Sequence, residues 1–231
     1  MVGDDLGELL GARVPADHSR QVLADHYAER LRPRRVLDLG CGAGDSVELF
    51  RSVVPDVSWV GADVERSPEV AERTRADAEF VTYDGRRLPF EHDSFDLVFC
   101  KQVLEHVEDP GELLAEVARV LEPGGHLAGS TSQLEAFHSL SIFNPTPYGF
   151  TLAAEDAGLE VIELRPVIDG FTLVAWRALG LPGFFHRWWA RESPPYRVME
   201  LAARAARLDT RTRNQIKLVL AGQFAFLARR T

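Results

Sequence analysis

The chain has 231 residues, 45% of them apolar and 26% charged, with a net charge of −9 at neutral pH. That length and balance point to one domain with a sizeable core and exclude global disorder. The net charge hides an asymmetry: residues 1–166 carry 31 acidic and 15 basic side chains, whereas residues 167–231 carry 4 and 11.

Along the chain, apolar positions Val22, Leu23, Tyr27 and Leu31 predict a helix from Asp17 to Leu31, ahead of Pro33. The run Val36-Leu37-Asp38-Leu39 predicts a buried parallel strand that ends in a glycine turn. A helix over 45–53, a strand over 57–62 and a helix over 67–76 follow, the last with Pro68 near its start. Strands are expected at 79–83 and 95–100, then a helix at 110–121 that stops at Pro123-Gly124-Gly125. A fifth strand at 126–131, a helix at 146–157 and a sixth strand at 160–164 complete the alternation. Beyond Val167 the pattern turns mostly helical until Gly222, with a last strand at 223–228. Alternation of this kind predicts an α/β fold with a doubly wound, seven-stranded sheet and a helical insertion before the last strand. Ligands of such sheets bind beyond the carboxyl ends of the strands.

Cys41 and Cys100 make no disulfide framework and lie in no cysteine/histidine metal pattern, so no metal is expected. Early acids at the N-terminus and the lack of a long apolar run argue against a signal peptide or a membrane span, so the expected location is the cytoplasm. The acidic bulk argues against nucleic acid as a partner.

The most informative stretch is Val-Leu-Asp-Leu-Gly-Cys-Gly-Ala-Gly at 36–44. Its glycines allow a tight turn and close approach to a ligand at the start of a helix. Asp38 and Asp45 beside that turn would repel a pyrophosphate but suit an amine or another cation. Asp63, at the end of the second strand, is placed to accept bonds from two ribose hydroxyls. Asp84, after the third strand, is placed to accept a bond from an adenine amino group.

Together, VLDLGCGAG, GADVERS, YDGRRLPFEHDSFDLVFCKQVLEHVEDP and VLEPGGHL resemble the class I S-adenosylmethionine-dependent methyltransferases, in particular the ubiquinone/menaquinone-biosynthesis branch. The resemblance covers about residues 34–131. It implies S-adenosylmethionine as cofactor and a Rossmann-like methyltransferase sheet. Asp38, Gly40, Cys41, Gly42 and Gly44 would line its methionine part, Asp63 would hold its ribose, Asp84 with Gly85 would read its adenine, and Val64 would be a further cofactor contact. Lys101 and Gln102 would pass under the methionine end, with His106 nearby. Position 105, often histidine in close relatives, is Glu105 here. The implied organisation is a single domain: an N-terminal helical lid (1–33), a cofactor-binding core (34–166), a helical insertion (167–221) and a final strand (222–231).

An oxygen acceptor needs a proton removed. The stretch 132–150, after the fifth strand, is rich in polar and aromatic groups and stiffened by Pro145 and Pro147. It nominates His138 or Glu135 as base, with His106 as a further candidate, and Phe137, Phe143, Asn144 and Tyr148 as acceptor contacts. The expected reaction is O-methylation of a small sugar-containing, natural-product or lipid-linked acceptor. C-methylation of a quinone-like lipid, or cofactor binding without catalysis, are the alternatives. The basic tail, with Trp176, Trp188 and Trp189, leaves three readings open: packing of an insertion, a homodimer contact, or contact with membrane or a lipid-linked substrate through 181–191.

Overall fold

The computed structural model describes residues 10–18, 20–65, 67–135 and 140–231. In chain order they form α1 (Asp25–Leu31), β1 (Arg35–Leu39), α2 (Ser46–Val53), β2 (Ser58–Val64), α3 (Pro68–Ala71), β3 (Glu79–Tyr83) and β4 (Phe95–Lys101). Then come α4 (Pro110–Val120), β5 (Leu121–Ser132), α5 (Pro147–Asp156) and β6 (Leu159–Pro166). The insertion comprises α6 (Gly170–Ala178), α7 (Arg187–Ala190), α8 (Pro194–Ala205) and α9 (Thr210–Val219), and β7 (Gln223–Arg230) closes the chain. Tight 3-10 turns occur at Gly11–Arg13, Leu104–His106 and Gly183–His186.

The seven strands lie in the order β3-β2-β1-β4-β5-β7-β6. β1 to β5 are mutually parallel, and β7 runs antiparallel between β5 and β6. The expected seven-stranded α/β sheet, with helices inserted before the last strand, is therefore present. Residue alternation along the strands supplies two cores. Leu37, Leu39, Val98, Cys100, Phe224 and Phe226 meet α4 and α5. Their neighbours Val36, Leu97, Phe99, Ala225 and Leu227 meet α1 and α2. Period-two burial on both faces is what a helix-covered sheet requires.

Several boundaries differ from the sequence expectation. The first helix begins at Asp25, not Asp17. The segment before it is held by tertiary bonds: Asp17 pairs with the buried Arg165 at 2.9 Å, and the Gln21 amide donates to the Trp188 and Trp189 carbonyls at 2.6 and 2.9 Å. The expected helix at 67–76 shortens to α3. β5 begins at Leu121 and incorporates the Pro-Gly-Gly segment: Phe95 pairs with Leu121 and Leu97 with His126, across a register shift. Such a bulge absorbs residues without ending the ladder.

Candidate active site

The carboxyl ends of β1 to β5 gather most of the expected side chains at one edge. Asp38 on β1 is only 5% exposed, and the Ser46 hydroxyl donates to its Oδ2 at 2.5 Å. Ser46 in turn accepts a bond from the Trp59 indole at 2.9 Å. Burial pushes the Asp38 carboxyl up to about 7, partly opposed by Ser46 and by Lys101. A buried acid of this kind is completed by a cation.

Gly40 opens the turn with φ +70°, and a Cβ there would lie 2.3 Å from Val103 Cγ2, so only glycine fits. Asp63 closes the turn: its Oδ2 accepts the Gly42 N–H at 2.7 Å and its Oδ1 the Val64 N–H at 2.8 Å. Burial raises its proton affinity, and the two N–H bonds oppose that rise. Cys41 is buried beside Arg73, and burial pushes its thiol up to about 12, so it is not a nucleophile. Arg73 donates to the Gly42 carbonyl at 3.1 and 2.8 Å and lies 3.9 Å over the Phe80 ring, clamping the outer rim of the turn.

Asp84 follows β3 and is exposed; its Oδ1 accepts the Arg87 and Arg86 N–H groups at 2.8 and 2.9 Å, which hold its carboxyl below the usual range. Gly85 adopts φ +83° beside it. Lys101 ends β4 and bonds Asp25 of α1 at 3.1 Å. Gln102 follows with φ +59°, and its amide donates to Ser130 Oγ at 3.1 Å. A non-glycine residue in that region is held by its surroundings, often at a functional site. His106 lies half-buried in the turn after it.

Lys101 and Gln102 also line a cavity of about 420 Å³, whose other walls include Leu23, Ser130, Glu135, Trp176, His186 and Trp189. The size suits a small organic ligand. A second hollow of about 340 Å³, near Arg13, Glu160 and Arg229, lies at the far end of β6 and β7 from the glycine turn.

The lining of the larger cavity differs from the set of acceptor contacts expected from the sequence. Among the described residues, Phe143, Asn144 and Tyr148 do not line the cavity. The Ile142 and Phe143 N–H groups bond the Glu105 carbonyl at 2.7 and 3.5 Å, and the Asn144 amide donates to the carbonyl of Glu135, which itself lines the cavity, at 3.0 Å. The wall comes instead from the insertion: Trp176 and Trp189 pack edge to face at 4.9 Å, with His186 at 5.9 and 6.1 Å from them. Phe137 and His138 fall outside the described residues.

Glu135 does reach the cavity, but not as a free base. It is 2% exposed; its Oε1 takes Arg177 donors at 2.9 and 2.5 Å, and its Oε2 takes the Ser132 hydroxyl at 3.1 Å and the Gln223 amide at 3.0 Å. Those contacts make it a tie between β5, α6 and β7. Thr131 Oγ1 similarly donates to the buried Glu105 at 2.9 Å. Tyr27 of α1 is fully buried in the core, with its hydroxyl donating to Glu163 at 3.4 Å. The N-terminal segment meets the cavity through Leu23 and Ala24.

Ser46, Trp59 and Arg73 are the site residues that sequence reasoning missed. Ser46 opens the helix after the glycine turn, a place where a hydroxyl is readily overlooked; the other two lie at no motif position.

The donor set fits S-adenosylmethionine: a buried acid for a cationic group, a glycine cradle that a Cβ would fill, and a second acid on the turn. Residues 37–129 match the model of a methyltransferase domain family. The chain is 32% identical over 169 residues to O-methyltransferase rstn1 of Aspergillus nomiae, covering 64% of this chain and 75% of that protein. It is also 32% identical over 180 residues to methyltransferase GfsG of Streptomyces halstedii, covering 67% of this chain but only 64% of that protein's length. The fold superposes on an S-adenosylmethionine-dependent methyltransferase from Mesorhizobium loti with a TM-score of 0.52 and 18% identity, covering 90% of this chain and 98% of that one. The chain belongs to the class I S-adenosylmethionine-dependent methyltransferases.

Proposed function

We propose that the protein transfers a methyl group from S-adenosylmethionine to an oxygen of a small acceptor held in the cavity under Trp176 and Trp189. The observation that carries this reading is the shared wall. Lys101 follows Cys100, the register partner of Leu39 just before the glycine turn, and acts electrostatically on Asp38; with Gln102 it also lines the cavity. Bound at the turn, S-adenosylmethionine supplies an activated methyl on a sulfonium. The residues then have three tasks. Asp38 and Asp63 fix the donor's orientation, which is the main requirement of an in-line displacement. Trp176, Trp189 and His186 present ring faces and edges against which a planar or sugar-like acceptor packs. His138, three positions after Glu135 in the sequence, takes the hydroxyl proton, with His106 as the other candidate.

The name of the Aspergillus relative, an O-methyltransferase, supports oxygen as the atom methylated. The test is methyl transfer from labelled S-adenosylmethionine to a panel of phenols, glycosides and lipid-linked alcohols. Label on an acceptor oxygen is expected. Label on carbon would overturn the oxygen assignment. Cofactor binding with no transfer across the panel would favour a binding protein.

A further inference from the structure

The insertion turns two neighbouring tryptophans to opposite uses. Trp189 lines the cavity, whereas Trp188 lies among arginines: Arg187 at 4.7 Å and Arg197 of α8 at 5.6 Å from its ring. Arg187 also lies 5.7 Å over Phe184, so Phe184, Arg187, Trp188 and Arg197 form one continuous patch. Phe184 is 58% exposed, and Leu181 beside it is 46% exposed. The outer face of α8 adds Val198 and Leu201, 68% and 70% exposed.

The charges of this region are uneven in their pairing. Glu200 pairs with Arg204, Arg213 and Lys217, and the Glu192 carboxylate with Lys217. Asp169 and Asp209 cap helices. Among the described residues, Arg187, Arg191 and Arg197 have no carboxylate partner; Arg197 donates only to the Glu192 backbone carbonyl.

Apolar side chains interleaved with uncompensated arginines suit one kind of surface. A two-fold dimer through this patch would set each arginine cluster against its own copy. An anionic lipid surface neutralises the arginines and accepts the Phe, Trp and Leu side chains at headgroup depth. Among the described residues no helix is long and apolar enough to cross a membrane, so contact would be peripheral.

We propose that the patch formed by Leu181, Phe184, Arg187, Trp188 and Arg197 docks the protein on an anionic lipid surface. The proposal stands apart from methyl transfer, because docking is read without cofactor or acceptor. The test is co-sedimentation of the full chain with vesicles of phosphatidylcholine alone and of an equal mixture with phosphatidylglycerol. Partitioning to the anionic vesicles should be stronger by at least about tenfold and should fall with added salt. Arg187→Glu with Arg197→Glu should lower it by on the order of tenfold or more, at an unchanged melting temperature. Phe184→Ser should weaken it by a few-fold without changing its salt dependence. Equal binding to both vesicles, no binding, or binding that ignores both variants would overturn the proposal. A dimer in light scattering that the arginine variants dissolve, with no vesicle binding, would assign the patch to self-contact.

Discussion

Asp38 allows the sharpest prediction. Its carboxyl is buried and titrates near 7, so near neutral pH the site without ligand holds a mixture of protonated and ionised forms. Only the ionised form offers a full charge to the ligand's ammonium. Between about pH 6 and about pH 8 its ionised fraction rises from about a tenth to about nine tenths. Affinity for S-adenosylhomocysteine should therefore rise about tenfold over that range, close to 1.4 kcal/mol. At the acidic end, binding should release nearly one proton. Calorimetry in buffers of different ionisation enthalpy measures both quantities. Asp38→Asn should flatten the slope and weaken binding at about pH 8 by roughly ten- to a hundredfold. The same shift acts on stability in the opposite sense. The folded carboxyl holds its proton to higher pH than the unfolded one, so stability falls as pH rises from about 4 to about 7, by up to about 4 kcal/mol. Without ligand, Asp38→Asn should then melt higher than the parent at about pH 8. A pH slope that survives Asp38→Asn, or a variant that melts lower, would refute the reasoning.

Other expectations follow from the same geometry. Asp63→Ala should weaken S-adenosylmethionine binding by at least about tenfold in calorimetry, since a charged acceptor on the turn is lost. Trp189→Ala should raise the acceptor KM by about ten- to a hundredfold while leaving cofactor affinity within about twofold. His138→Ala should lower turnover far more than cofactor affinity; parent-like turnover would remove it as base. Glu163→Ala should destabilise the fold by about 3–5 kcal/mol in denaturant titration, because it strips a buried partner from Arg30, Arg165 and Tyr27 together.

The cofactor half of the site was legible because its signals are local. Apolar runs of four to six residues marked β1 and β4, and a glycine turn with acids at successive strand ends marked the edge where they meet. The lining of the neighbouring cavity was less so. Polar and aromatic content made 132–150 look like the pocket, yet backbone bonds to Glu105 draw Ile142 and Phe143 aside. Part of the cavity wall comes from Trp176 and Trp189, 75 and 88 residues past Lys101 by chain position, and only the packing of the insertion brings them there. Helical periodicity likewise overextended the first helix, because Asp17 and Gln21 are held outside it by bonds that reach Arg165 and Trp188, far along the chain. Glu135 looked like a base until its four donors were visible.

The most direct measurement of the central claim is a crystal structure with S-adenosylhomocysteine bound. The expected result is the amino group against Asp38, the ribose on Asp63, and the open side of the sulfur facing the cavity lined by Trp176, His186 and Trp189. A sulfur turned away from that cavity, or a ligand bound off the glycine turn, would contradict it.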